Sequence, residues 1–378
     1  MSTGAIAITG WGVLSSAGIG ADEFARAVTA GRGSAADVSE MFEEPVPRQD
    51  AFALVDFKVR DYLGRKGTSF LDRSTSLAMV ACGQALADTD LVVDDSNNER
   101  VGIALGTTAG SVKSTSDYSR DTFVQERPYL VNPLVFPNAV MNCAAGQSAI
   151  RYRLRGVNTT VAGGALAALS ALRYARNLIG CGYADALLVG TTEEFSPQVA
   201  WATHFAMEAG GGDLAAGEGA AVFVVEDADA VREAGRRPDA EVLAIEVGLH
   251  VPADEATAGP ETDFSESLAG CVVRALSRAG VEPGEVWAVA SAENGMPLTD
   301  GFEDRAIRAV LGDGPVRLRV KEFTGESHSA SGAFQVAALL ARHRADPTLD
   351  GRVSVVTTRT SDGAIGAAVL RGWSRGVE

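Results

Sequence analysis

Apolar residues along this chain fall into two alternating kinds of run. The first is short, mostly continuous and rich in Val, Ile and Ala: residues 5–9, 101–105, 186–190, 220–226, 241–247, 286–290, 353–358 and 364–371, with a more β-branched run at 156–160 and an alternating strand, VRLRV, at 316–320. Continuous apolar strands, unlike alternating ones, belong to sheets covered on both faces. The second kind spaces apolar residues at helical intervals, as in 72–88 (Leu77, Val80, Ala81, Ala85, Leu86), and predicts further helices over 21–30, 165–179, 263–279, 301–311 and 331–343. Strands alternating with helices imply parallel sheets between helical layers. The last two strands close as a hairpin over Ser361, Asp362 and Gly363. Residues 34–70 read as an irregular surface excursion, 107–119 are rich in Gly, Ser and Thr, and 128–142 form an apolar loop with three prolines. Another long loop joins the strands at 186–190 and 220–226.

The pattern repeats. GGALAALSAL from Gly163 parallels SGAFQVAALL from Ser331, and GAAV occurs at 219–222 and again at 366–369. Two halves, 1–235 and 236–378, are therefore expected, each with its own sheet. Two covered sheets in tandem give a layered α/β/α/β/α sandwich.

Within the first half, 155–194 holds an arrangement that enzymes use. A β-branched strand runs through a turn of small residues (Ala162, Gly163, Gly164) into an apolar helix. A side chain at such a turn sits beside unpaired helix N–H groups, which lower a thiol's pKa and hold an oxyanion. The residue expected at the apex is Val161, which has no nucleophilic atom.

Composition narrows the chemistry. A net charge of −16 excludes nucleic acid as the main ligand. No apolar run approaches a membrane span, and residues 1–30 lack a secretory signal, so a cytoplasmic protein is expected. Cys82, Cys143, Cys181 and Cys271 lie far apart without a CxxC pair, which argues against a disulfide framework or a metal cluster. Near the start, TGWGVLSSAGIG invites a dinucleotide reading, but the third glycine of that fingerprint would fall on Ser15. The expectation is a glycine-rich turn leading into helix 21–30.

TGWGVLSSAGIG, PNAVMNCAAGQSAIRYRLRG, GTTEE, GEGAAVFVVED and VKEFTGESHSASGA together resemble the β-ketoacyl synthases of the thiolase superfamily, over essentially the whole chain. The resemblance implies the five-layer thiolase-like fold made of two duplicated halves, no cofactor, and a dimer interface centred on 138–165. It also marks departures. The family's cysteine position is Val161. Its first catalytic histidine falls in Ala292-Glu293-Asn294-Gly295-Met296-Pro297, at Asn294, and its second becomes Glu326 after Lys321-Glu322-Phe323-Thr324-Gly325. The C-terminal gating loop reads Arg359-Thr360-Ser361-Asp362-Gly363, and the loop over 195–217 is shortened. Condensation needs a thiolate and two imidazoles that stabilise an enolate. All three are missing, and Lys321 alone remains as a structural ion-pair partner.

Two readings follow from the resemblance. The first is a chain length factor of a type II polyketide synthase. Such a subunit pairs with an active ketosynthase subunit, serves chains delivered on acyl carrier protein, and shapes the tunnel that holds the polyketide acyl chain. Chain length factors usually carry glutamine where Val161 stands, which points to a divergent branch such as polyene synthesis. Counting from Gly110, the tunnel-facing positions would be Ser111, Ser114 and Tyr118. The second reading is a ketosynthase-fold homodimer with other acyl-transfer or cyclising chemistry, using Glu326, His328 or Glu293 as base. Cys143, in the segment used for dimer contacts, is the weaker alternative nucleophile.

Overall fold

The computed structural model describes residues 4–252 and 262–375. In chain order the first elements are β1 (Ile6–Ser15), its two-residue partner β2 (Gly18–Ile19) and α1 (Ala21–Ala30). A small ribbon of β3 (Ala36–Asp37) and β4 (Asp50–Ala51), α2 (Val59–Leu63) and α3 (Arg73–Ala87) follow, then β5 (Val101–Thr107), α4 (Val112–Val124) and α5 (Cys143–Tyr152). Next come β6 (Asn158–Ala162), α6 (Ala167–Gly180), β7 (Ala186–Glu193), α7 (Pro197–Ala209), β8 (Gly219–Asp227) and α8 (Ala228–Glu233). The remainder comprises β9 (Ala240–Leu249), α9 (Ser265–Ala279), β10 (Val286–Ala290), α10 (Pro297–Leu311), β11 (Val316–Leu318), α11 (Lys321–Thr324), α12 (Ser329–Ala345), β12 (Val353–Arg359) and β13 (Ala364–Gly372).

The strand order repeats. One side of the sheet runs β6-β5-β7-β8-β1 and the other β11-β10-β12-β13-β9, so both read third, second, fourth, fifth, first. The two expected sheets prove to be joined. β1 pairs with β9 over Ile6↔Val242, Ala7↔Glu241 and Ile8↔Ala240. Helices α6 and α12 pack on each other and on strands of both sides, while α3 and α5 cover one outer face and α9 and α10 the other. That gives five layers.

Strand β8 shows why these strands are apolar on both faces. Ala221, Phe223 and Val225 join the central core with α6 and α12, while Ala220, Val222 and Val224 join the outer core beneath α3. Successive side chains of a strand point to opposite faces, so a strand inside two layers must be apolar throughout.

The first strand corrects the expectation of a glycine-rich turn. β1 continues through Gly10 and Gly12 to Ser15, with a register shift between Ile8 and Gly10. The glycines serve close packing. A Cβ on Gly12 would lie 2.4 Å from the Ala81 carbonyl oxygen and 2.5 Å from Gln84 Cβ. Helix α3 also bonds the strand: Gln84 Oε1 accepts from Val13 N at 3.0 Å, and Asp88 just beyond it accepts from Trp11 N at 3.0 Å. Gly12→Ala should therefore lower stability by about 1–3 kcal/mol through overpacking. An unchanged melting temperature would show that α3 yields instead.

Two further differences bear on the site. The segment taken as a loop between 190 and 220 contains helix α7, started by Ser196, whose hydroxyl accepts from Val199 N, and by Pro197 at the first helical position. Val161 is not the apex of the turn: it lies within β6, opposite Gly106, and the turn itself is the 3₁₀ segment Gly164–Leu166. Gly164 has φ 50°, a conformation that suits glycine.

Candidate functional site

The site is built where β6, the loop after β10, and the approach to α12 meet the turns around them. Val161 is half-buried, packs against the central core and offers only methyl groups. Its neighbour Thr160 has a buried hydroxyl oxygen with no hydrogen-bond partner. The strand-to-helix geometry is present; the nucleophile is not.

Asn294 and Glu326 come together. Asn294 Nδ2 donates to Glu326 Oε2 at 2.9 Å, and Lys321 Nζ donates to the same oxygen at 2.7 Å. The other oxygen, Oε1, accepts from His328 N at 3.1 Å and from Ser331 Oγ at 3.4 Å. Burial alone would push the Glu326 carboxyl up; the Lys321 and His328 charges, with the hydrogen bonds from Lys321 and Asn294, outweigh it and hold it at about 2. The group is a fixed anion at neutral pH. Its backbone is pinned as well, since Glu326 N donates to Ala215 O and Gly217 N donates to Glu326 O.

Further charged groups close on Asn294. Its Oδ1 accepts from Arg359 Nη2 at 3.3 Å. Arg359 is itself held by Asp300 and by Glu303, whose Oε2 accepts from Arg359 Nε at 3.0 Å. Glu303 Oε1 takes Ala292 N at 2.8 Å and Thr357 Oγ1 at 2.6 Å, and the Asp300 carboxylate takes the amides of Asn294 and Gly295. Lys321, Glu326, Asn294, Arg359, Asp300 and Glu303 thus form one network whose donors and acceptors face each other. Sequence reasoning missed Arg359, Asp300 and Glu303. The available signal was Asp300 and Glu303 one helical turn apart, with Arg359 ending a buried strand.

The other candidate bases are also engaged. Glu293 is paired with Arg317 at 3.4 Å and Arg319 at 3.3 Å, and its Oε2 accepts from Ser291 Oγ. His328, at φ 45°, precedes α12. Thr203 donates its hydroxyl to Val199 O at 2.9 Å, so its oxygen accepts from His328 Nε2–H at 2.8 Å. Burial pushes the Cys143 thiol up to about 11, far from thiolate at neutral pH.

The tunnel candidates sit on α4. Ser111 is the buried N-cap and accepts from Ser114 N; Ser114 and Tyr118 are half-buried, and the Tyr118 ring lies 5.6 Å from that of Phe136. Behind them Glu194, 2% exposed, accepts from Ser111 Oγ at 2.8 Å and Lys113 N at 2.9 Å. Burial, with the nearby Asp72 and Glu193 charges, pushes its carboxyl up to about 7. A folded-state value above the ordinary 4.5 means that this group favours folding at low pH and turns against it as pH rises through about 7. Glu194→Gln should therefore match the native chain near pH 4.5 and exceed it by about 3 kcal/mol at pH 8. Denaturation profiles that stay parallel across that range would contradict the assignment.

One flank of the molecule is apolar and uncovered. β6 is the last strand of the sheet. Helix α5 packs on it, and Ile150 of that helix, with Tyr129, Leu130, Leu134, Phe136 and Met141 in the segment before the helix, is exposed.

A family model for the beta-ketoacyl synthase N-terminal domain matches residues 3–230, and one for the C-terminal domain matches 243–346. The chain belongs to the beta-ketoacyl synthase family. This synthase-family chain is 27% identical to the 3-oxoacyl-[acyl-carrier-protein] synthase 2 of Coxiella burnetii over 368 residues, covering 91% of this chain and 88% of that one. It is similar to the ishigamide ketosynthase/chain length factor, at 38% identity and a TM-score of 0.86, covering 98% of this chain and 100% of the other. The structure of a type II polyketide synthase acyl-carrier protein in complex with its ketosynthase bound to the hexaketide matches at 19% identity and a TM-score of 0.79, covering 98% of this chain and 99% of the other, a likeness of fold alone.

Proposed function

We propose that this chain is a non-catalytic beta-ketoacyl synthase homologue, a chain length factor that pairs with an active ketosynthase subunit and shapes the tunnel for a carrier-borne polyketide, possible products including polyenes. The observation that carries the reading is the closed network around Glu326. An enolate forming beside it would meet a buried carboxylate held near 2 where condensing chemistry needs hydrogen-bond donors, and Val161 offers no sulfur for the acyl chain. The similarity to a ketosynthase/chain length factor supports the same role.

The homodimeric-enzyme alternative has less support. Glu326 is too acidic to be a useful base, Glu293 is bound to two arginines, and the Nε2–H of His328 is committed to Thr203. Co-production separates the two readings: a chain that is soluble only with a ketosynthase partner supports pairing, and a stable homodimer with its own acyl turnover refutes it.

The chain-measuring role rests on Ser111, Ser114 and Tyr118. Ser111 and Ser114 are small and engaged in the cap of α4, which leaves Tyr118, backed by Phe136, as the floor. Tyr118→Ala should lengthen the product or broaden its distribution while the subunit pair survives. An unchanged product profile from an intact pair would remove Tyr118 from that role.

A further inference from the structure

Helix α4 has 13 residues and none of them is buried, so apolar packing does not decide where it lies. Its position depends on attachments. Lys113 Nζ reaches Glu44 and Asp117, Thr115 Oγ1 is 3.2 Å from Ala139 O, Gln198 Nε2 is 3.5 Å from Ser116 Oγ, and Tyr118 rests on Phe136. Those partners lie on α4 itself, on surface loops or turns, or on α7. Glu194 differs, because it directly follows β7, which is hydrogen-bonded on both sides to β5 and β8. Its two oxygens hold Ser111 Oγ and Lys113 N, the cap and first turn of the helix.

We propose that Glu194 is a positioning residue for chain-length control, clamping the first turn of α4 to the end of β7 and so setting the depth at which Tyr118 stands. This rests on the reading of α4 as the chain-measuring helix.

The groups around the carboxyl explain how the clamp holds in either protonation state. Glu193 faces it from its own segment, and Asp72 and Arg73 act on it from α3, Arg73 being already bound to Glu218. From α4 it receives only the Lys113 amide and the Ser111 hydroxyl, since the Lys113 ammonium is bound to Glu44 and Asp117. Ser196 and Gln198 at the start of α7 are uncharged. When Glu194 is ionised, the Ser111 hydroxyl donates to it. When it is neutral, its own O–H donates to Ser111 Oγ, and the Ser111 proton turns to Ser114 Oγ, 2.8 Å away. The amide of Glu194→Gln reproduces the second wiring.

The test uses the chain co-produced with its ketosynthase partner and reads two things: amide hydrogen exchange in the first turn of α4, and product length. Glu194→Ala should speed exchange at Lys113 and Ser114 at least tenfold and broaden the product distribution, while Glu194→Gln stays native in both. If the alanine variant gives no soluble pair, Glu194→Asp keeps the charge but withdraws it by one methylene, with the same expectation as alanine. Native exchange in these variants would overturn the clamp. Fast exchange with a native product, where Tyr118→Ala does alter the product, would overturn its role in chain length. A native product from Tyr118→Ala as well would bring down the chain-length reading itself, and with it this proposal.

Discussion

After incubation with acyl-carrier and malonyl-carrier thioesters, this chain should retain its unmodified mass and release no condensed product. Val161 cannot form a thioester, Cys143 is held as a thiol, and Glu326 presents a fixed negative charge. Val161→Cys restores one requirement of three. Removing a single preorganised oxyanion donor costs about 10²–10³ in rate. With both donors absent and an anion in the site, the variant should remain at least about 10³-fold below an active ketosynthase. Adding Glu326→His alone would not complete the site, because Lys321 and Asn294 both donate to the carboxylate it replaces. Intact-protein mass spectrometry decides the first point: an acyl adduct on the native chain would overturn it.

On the proposed pairing, Ala162→Arg should separate this chain from a ketosynthase subunit. Ala162 is exposed at the end of β6, the outermost strand of the sheet, on which α5 with its exposed Ile150 packs. Obligate interfaces of this kind bury more than about 2,000 Å² and are apolar at the centre. An unpaired charge buried there costs about 3–5 kcal/mol, or about a hundredfold to several thousandfold in Kd. The substitution leaves the fold alone, because Ala162 is exposed and belongs to none of the hydrophobic cores. Size-exclusion chromatography of the co-produced proteins should show two separate species; an intact pair would move the interface off this flank.

Most of the fold is legible in the sequence because the two-sided burial of a covered sheet writes itself as continuous apolar runs. Strands β5, β7, β8, β10, β12 and β13 and helices α1, α3, α6, α9 and α12 all arise where those runs or helical spacings place them, within a few residues. What was missed has physical causes. The second half of β1, beyond residue 9, looked like a turn because Gly10 and Gly12, chosen for contact with α3, imitate turn residues; Trp11, Val13 and Leu14 were the contrary signal. α4 buries nothing and so has no apolar stripe to read. The Asn294–Glu326 contact was accessible only through the family resemblance, and for Arg359 the sequence carried only the weak signal of a cation ending a buried strand, its partners Asn294, Asp300 and Glu303 being distant in sequence.

The seam between β1 and β9 has a consequence for assembly. By joining the two sides of the sheet it consumes two edges that would otherwise be open, leaving β6 and β11 as the ends of the path. These ends are unequal. β6 offers five residues without a charge, whereas β11 has three, with Arg317 at its centre tied to Glu293 and Asp304. A short, charged end resists strand addition. Head-to-tail stacking into a fibre would need both ends to accept a neighbour, so a molecule with one receptive end can only terminate its own growth at a closed pair.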